Sequence, residues 1–168
     1  LNTTYLQELR DCGINRLSIG LQSFNEEELK WMNRSHSVKE NISCLEAAEH
    51  VGFKNISIDL IYGSKFQTID EWEKTLNRVE TLPVQHLSAY HLTYHKGTPF
   101  YTRLKKGTLK ALKETESIKQ FEILIKMAKE KGFEQYEISN FAKERRYSKH
   151  NSSYWKGIKY LGLGPSAH

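Results

Sequence analysis

The chain has 168 residues, with 38% hydrophobic and 11% aromatic residues. That is enough for one domain-sized core and excludes a fully disordered chain. Twenty-five Lys and Arg against 20 Asp and Glu give a net charge of +5. This fits either an anionic partner or an ordinary basic surface, because the charges are interspersed apart from the 143–149 stretch. No apolar run approaches the roughly 18 residues of a membrane span, and the mean hydropathy is −0.64. Two cysteines, Cys12 and Cys44, are too few and too distant for a disulfide framework or an all-cysteine metal site, so a reducing, cytoplasmic setting is expected. The Leu1 start and the Gly164-Pro165-Ser166-Ala167-His168 end suggest a piece of a longer chain.

Helical and strand patterns alternate. Residues 5–12 read as a helix closed by Gly13, and 15–21 as a strand. Asn25 with Glu28 has capping-box spacing and opens a short helix through Met32. Ser37 with Glu40 repeats the signal for a helix through Val51, with Ile42, Leu45 and Ala48 inward and Gly52 as its stop. Residues 55–62 form a second strand. Thr68 with Glu71 opens a helix whose inner face is Ile69, Trp72, Leu76 and Val79.

A third strand covers 86–92. Thr98-Pro99 starts a short helix ending near Gly107. Residues 114–131 carry the strongest helical period, with Ile118, Phe121, Ile125 and Ala128 on one face, Leu124 and Met127 beside it, and Gly132 as the stop. Residues 135–139 read as a fourth strand, and the tail beyond has no clear helical period.

This order argues for parallel strands joined by right-handed crossovers, in a doubly wound sheet or an α/β barrel. Polar or small residues alternate along the strands: Ser18, Gly20 and Gln22; Ser57 and Asp59; Ser88 and Tyr90; Glu137 and Ser139. A parallel sheet covered on both faces would be almost continuously apolar. The alternation instead favours a barrel-like arc with one face toward a polar lumen. Gln22, Asp59 and Tyr90 then lie toward the strand C-terminal ends, where barrel active sites sit.

Gln22 and Asp59 could hold a ribose, an amino acid or a purine edge, or be hydrogen-bonded structural residues. Arg34 and His36 lie between the two helices after the first strand, where Arg34 could grip a carboxylate or simply be solvated. In the tail, His150-Asn151-Ser152-Ser153-Tyr154-Trp155 offers an imidazole beside two aromatic rings, suited to a flat ligand such as haem or to packing. His91 and His95 have ligand-like spacing but flank a strand end, which argues against a metal. No phosphate loop, zinc-protease helix motif or nucleophile elbow is present.

Taken together, GINRLSIGLQSF (13–24), NRSH (33–36) and DLIYG (59–63) resemble the oxygen-independent coproporphyrinogen III oxidase group of radical S-adenosylmethionine (SAM) proteins. YEISNFA (136–142), HNxxYW (150–155) and YLGxG (160–164) are closer to that group's haem-chaperone branch, HemW. The resemblance implies an α/β fold: the C-terminal portion of a partial, TIM-like (β/α)6 radical SAM barrel. It implies later βα units over residues 1–140 and the start of a C-terminal segment, rich in aromatic residues and glycine, over 141–168. It further implies SAM contacts from Gln22, Arg34, Asp59 and Thr93, and haem contacts from His150, Tyr154 and Trp155.

The [4Fe–4S] cluster motif would lie upstream of Leu1, so the piece alone is expected to be inactive and to hold no cluster. The resemblance implies a haem chaperone that binds haem and SAM in the full-length protein and serves haem-acceptor proteins. The alternative is oxidative decarboxylation of coproporphyrinogen III in porphyrin biosynthesis. Neither implies nucleic acid or a transmembrane segment. Two departures from the family pattern stand out: Gly63-Ser64-Lys65 where Gly-Leu-Pro is usual, and His95 where a glutamate is usual.

Overall fold

The computed structural model describes residues 2–159 and 161–163. In chain order the elements are α1 (Thr3–Asp11), β1 (Leu17–Gln22), α2 (Glu26–Trp31), α3 (Val38–Val51), β2 (Ile56–Tyr62) and α4 (Ile69–Glu80). These are followed by β3 (His86–His91), α5 (Pro99–Lys105), α6 (Glu114–Glu130), β4 (Glu134–Gln135), β5 (Asn140–Ala142) and α7 (Lys149–Trp155). Among the described residues no helix is long and apolar enough to cross a membrane.

The five strands form one open sheet in the order β1-β2-β3-β5-β4. β1, β2 and β3 run parallel, as the alternating pattern requires. The expected fourth parallel strand over 135–139 is absent. Instead the chain bends at 137–139 and returns as β5, antiparallel to both β3 and β4. A strand that immediately reverses cannot make a right-handed crossover, so this edge closes as a hairpin.

The core lies on one face of the sheet. Leu17, Leu21, Ile56, Ile58, Leu60, Leu87 and Ala89 pack there against helix residues such as Leu6, Leu45, Trp72, Leu76 and Leu124. Strand residues alternate with period two, so the opposite face carries the polar set, as expected for an arc of barrel.

Local signals explain the helix ends. Ser37 and Glu40 make the full reciprocal capping box of α3, and Gly52 ends it at φ 95°, a left-handed conformation that costs glycine little. Thr68 accepts from the Glu71 amide, and Thr98 caps α5 with Pro99 in its first turn.

Three expectations need correction. Asn25 does accept the Glu27 and Glu28 amides, but the Glu28 side chain turns inward rather than back to the cap. The buried face of α6 is Gln120, Leu124, Met127 and Ala128, while Ile118 and Ile125 are exposed; apolar count alone misaligned it because a glutamine occupies the core. The tail contains a helix, α7, capped by Ser148. Two turns of polar and aromatic residues carry no apolar stripe for periodicity to detect.

Candidate functional site

The polar face brings together residues from four strands. Gly20 pairs with Asp59, Asp59 with Ser88, and Ser88 with Asn140, so these four form one row across the sheet. Ser18 Oγ donates to Asp59 Oδ1 at 3.4 Å. Burial pushes the Asp59 carboxyl above its usual range, and hydrogen bonds from Ser88 and Ser18 and the charge of Arg16 pull it partly back. Arg16 is itself lowered by burial, against the charges of Tyr136 and Asp59, and its Nε is buried without a hydrogen-bond partner. Burial also raises the Tyr90 phenol; Ser88 and Asn140 bond its oxygen, and Asp59 and Glu137 add negative field.

At the strand N-terminal ends this face is closed by a hydrogen-bonded chain. Ser57 Oγ lies 2.7 Å from His86 Nδ1, and His86 Nε2 lies 2.6 Å from the Tyr136 hydroxyl. The Ser148 amide donates to that hydroxyl at 3.2 Å, tying the cap of α7 to β3. Burial, with the charge of Arg16 second, lowers the His86 pKa to about 4, so the ring is neutral near neutral pH.

Gln22 ends β1 at φ 67°, where the register with β2 shifts. Its side chain folds over Gly20: a Cβ there would sit 2.5 Å from Gln22 Nε2. Gln22 and Asp59 therefore both adjoin Gly20, one above and one beside it. Arg34 is exposed in the connection between α2 and α3, and Thr93 in the loop after β3. The Thr93 hydroxyl lies 2.8 Å from His95 Nε2, so the histidine in the usual glutamate position engages the threonine. His36 turns to the outer edge of β1, 3.3 Å from the Leu21 carbonyl, and lines a hollow of about 670 Å³ with Ile19, Gly20, Asn41 and Cys44.

The Gly63-Ser64-Lys65 departure has a structural partner. Glu28 is 1% exposed and accepts from Ser23 Oγ at 2.5 Å, from Ser64 Oγ, and from Gln67 Nε2 at 3.3 Å. An apolar residue at 64 would leave this carboxylate with one donor fewer. Burial raises Glu28, and the three donors oppose the shift. Gln120 extends the network: its amide donates to Gln67 O and accepts from Gly63 N. Gly63 is held at φ 87° with His91 against it, so a Cβ would lie 2.5 Å from His91 Nε2. His91 and His95 bond Ser117 and Thr93 rather than converging, and no group of three or more metal-ligating side chains occurs among the described residues.

On α7, His150 and Tyr154 lie one turn apart and meet edge to face at 5.0 Å. Trp155 points elsewhere, into a hollow of about 360 Å³ lined by Tyr136, Glu137, Ile138, Ser152 and Lys156. Sequence reading thus grouped three tail residues that the helix divides between two faces. Tyr160 and Gly164 of the YLGxG motif, and His168, lie outside the described residues. Arg16, Tyr136 and Asn140 were not singled out as site residues, although they belong to the recognised segments. Arg16 precedes its strand, and Asn140 faces the lumen only because β5 reverses.

Residues 1–79 match the radical SAM superfamily. A protein of Bacillus subtilis named heme chaperone HemW is 38% identical over 168 residues, which is all of this chain and 44% of the relative. The mitochondrial radical S-adenosyl methionine domain-containing protein 1 of Danio rerio is 32% identical over 97% of this chain and 37% of its own length. The chain thus spans less than half of these relatives. Among solved structures, Escherichia coli coproporphyrinogen III oxidase (HemN), described as a radical SAM enzyme, aligns with TM-score 0.77 and 27% identity over 99% of this chain and 41% of that one.

Proposed function

We propose that this chain, whose residues 1–79 match the radical SAM superfamily, is the part of a haem chaperone that holds SAM in the lumen of its sheet and presents a haem-binding tail. In this reading residues 1–140 are later units of the barrel and 141–168 begin a C-terminal segment. β5 crosses that boundary, so the two pack as one body. A cytoplasmic setting, a [4Fe–4S] cluster held by upstream residues, and haem-acceptor partner proteins complete the reading.

The observation that carries it is the tail. His150 meets Tyr154 edge to face on one side of α7, and on its other side Trp155 and Ile138, each 65% exposed, line one hollow. Exposed aromatic and aliphatic groups together on a monomer mark a binding surface, and imidazole is a common axial ligand of haem iron. Likeness to the HemW proteins over the whole chain supports the same choice. On titration with haem, the full-length protein is expected to give a Soret band that weakens strongly in His150→Ala. An unchanged spectrum would remove His150 as the ligand.

The lumen suits SAM chemically. Asp59 offers a partly desolvated carboxylate for ribose hydroxyls or an ammonium, Gln22 offers an amide above Gly20, Arg34 lies between α2 and α3, and Thr93 lies in the loop after β3. When bound to a reduced cluster, SAM supplies radical chemistry; the residues of this chain bind and orient it. Gln22→Ala and Asp59→Ala are each expected to weaken SAM binding by about 1–3 kcal/mol, the cost of a lost buried polar contact. Isothermal titration giving wild-type affinity for both variants would refute the assignment.

A second reading, coproporphyrinogen III oxidation, rests on the similarity to HemN. Conversion of coproporphyrinogen III to protoporphyrinogen by the anaerobically reconstituted full-length protein would favour it over the chaperone.

A further inference from the structure

We propose that Asn140 reads the base of a nucleoside in the lumen, its side-chain oxygen accepting from an exocyclic amino group while the ribose hydroxyls donate to Asp59. This rests on the reading that the lumen holds SAM, and it adds a residue from a different strand and a choice of base.

Asn140 is 4% exposed, yet its Oδ1 has no hydrogen-bond partner. Buried polar atoms are nearly always paired, so an orphaned acceptor calls for an explanation. The orientation of the amide is set locally. Its nitrogen donates to Glu137 Oε1 and lies within bonding reach of the Tyr90 phenol. Turning the amide over would press its oxygen against the Glu137 carboxylate, so the free acceptor is held away from that carboxylate.

The register places this acceptor usefully. Asp59, Ser88 and Asn140 are successive neighbours on the same face of β2, β3 and β5. Two steps between strands separate the Asp59 and Asn140 backbones by about 10 Å. That separation suits a nucleoside laid across Ser88, with its ribose at one end and the edge of its base at the other. Asn140 interacts with the carboxylate of Glu137 and the phenol of Tyr90, with Asp59 beyond Ser88 in the same row. The unpaired Asn140 oxygen, with the Glu137 carboxylate beside it, favours a ligand presenting a hydrogen-bond donor here, while the Tyr90 phenol can donate or accept. An amino group satisfies Oδ1, whereas a carbonyl oxygen in the same place sets acceptor against acceptor. A buried polar group left unpaired by the wrong ligand is a strong basis for discrimination.

The experiment compares two ligands that differ at the edge of the base, S-adenosylhomocysteine (6-amino, N1 an acceptor) and S-inosylhomocysteine (6-oxo, N1 protonated), by equilibrium dialysis with the full-length protein. Wild type is expected to bind the amino form about tenfold tighter or better. Asn140→Leu and the smaller Asn140→Ser are each expected to bring the ratio close to one. Because the ratio is taken within each variant, a general weakening or partial misfolding cancels. Equal binding of the two ligands by wild type overturns the inference while leaving the SAM reading intact. Preserved discrimination in a folded variant also overturns it. Binding of neither ligand by wild type overturns both readings.

Discussion

Trp72→Ala is expected to lower the stability of the chain by about 3–5 kcal/mol, the usual cost of deleting a buried tryptophan. Trp72 is fully buried, stacks on Tyr62 with ring centres 5.5 Å apart, and donates its indole N–H to Gln120 O at 2.9 Å. It therefore joins α4 to β2 and to α6 at once. Alanine would leave a cavity on the helix-covered face of the sheet and remove the donor from a buried carbonyl. Trp72→Phe keeps most of the volume and should cost clearly less. Urea unfolding monitored by circular dichroism measures both variants. A loss below about 1 kcal/mol in Trp72→Ala would show that the site collapses around the smaller residue.

Acidification is expected to destabilise the chain through His86. Its pKa is lowered from 6.5 to about 4 in the folded state, by burial first and by Arg16 second. Between those two values the unfolded chain binds a proton that the folded chain refuses. The stability His86 contributes is therefore fully present above about pH 6.5 and is lost as pH falls toward 4. The difference corresponds to about 3 kcal/mol.

The structural reason is the chain Ser57–His86–Tyr136–Ser148, which buries the ring against β2 and anchors the start of α7. His86→Gln removes the titration. The loss in unfolding free energy between pH 7 and pH 4.5 should shrink in that variant relative to wild type. Equal losses in the two proteins would sink the claim. The comparison isolates His86 from Glu28, whose raised carboxyl contributes in the opposite sense: its stabilising effect is present below about 4.5 and declines as pH rises above it.

Much of the molecule is local in origin and was legible in the sequence. Ser37 with Glu40, Thr98 with Pro99, and Gly52 specify helix ends through bonds spanning only a few residues. Alternation in 55–62 already separated Ile56, Ile58 and Leu60 from Ser57 and Asp59, and the structure keeps that division between core and lumen. The recognised segments led to the radical SAM superfamily, which the match over residues 1–79 bears out.

Other features depend on contacts between residues far apart in the chain. Nothing near Glu28 announces that its carboxylate is shared with Ser64 and Gln67, so capping-box spacing misdirected its side chain. Gln120 defeats the apolar stripe of α6 because its amide answers Gln67 and Gly63, more than 50 residues away.

By itself, then, the sequence determined the helices before the tail and the three parallel strands, which face of each of those strands is apolar, and the likeness to the radical SAM superfamily over residues 1–79. These follow from period, capping chemistry and motif, all encoded over a few residues. Only the tertiary structure decided that the last strand reverses and that Asn140 joins the row of Asp59. It also separated His150 from Trp155 on the tail helix. Strand direction and the partners of buried polar groups are decided by which surfaces meet when the sheet assembles, and no local pattern carries that information.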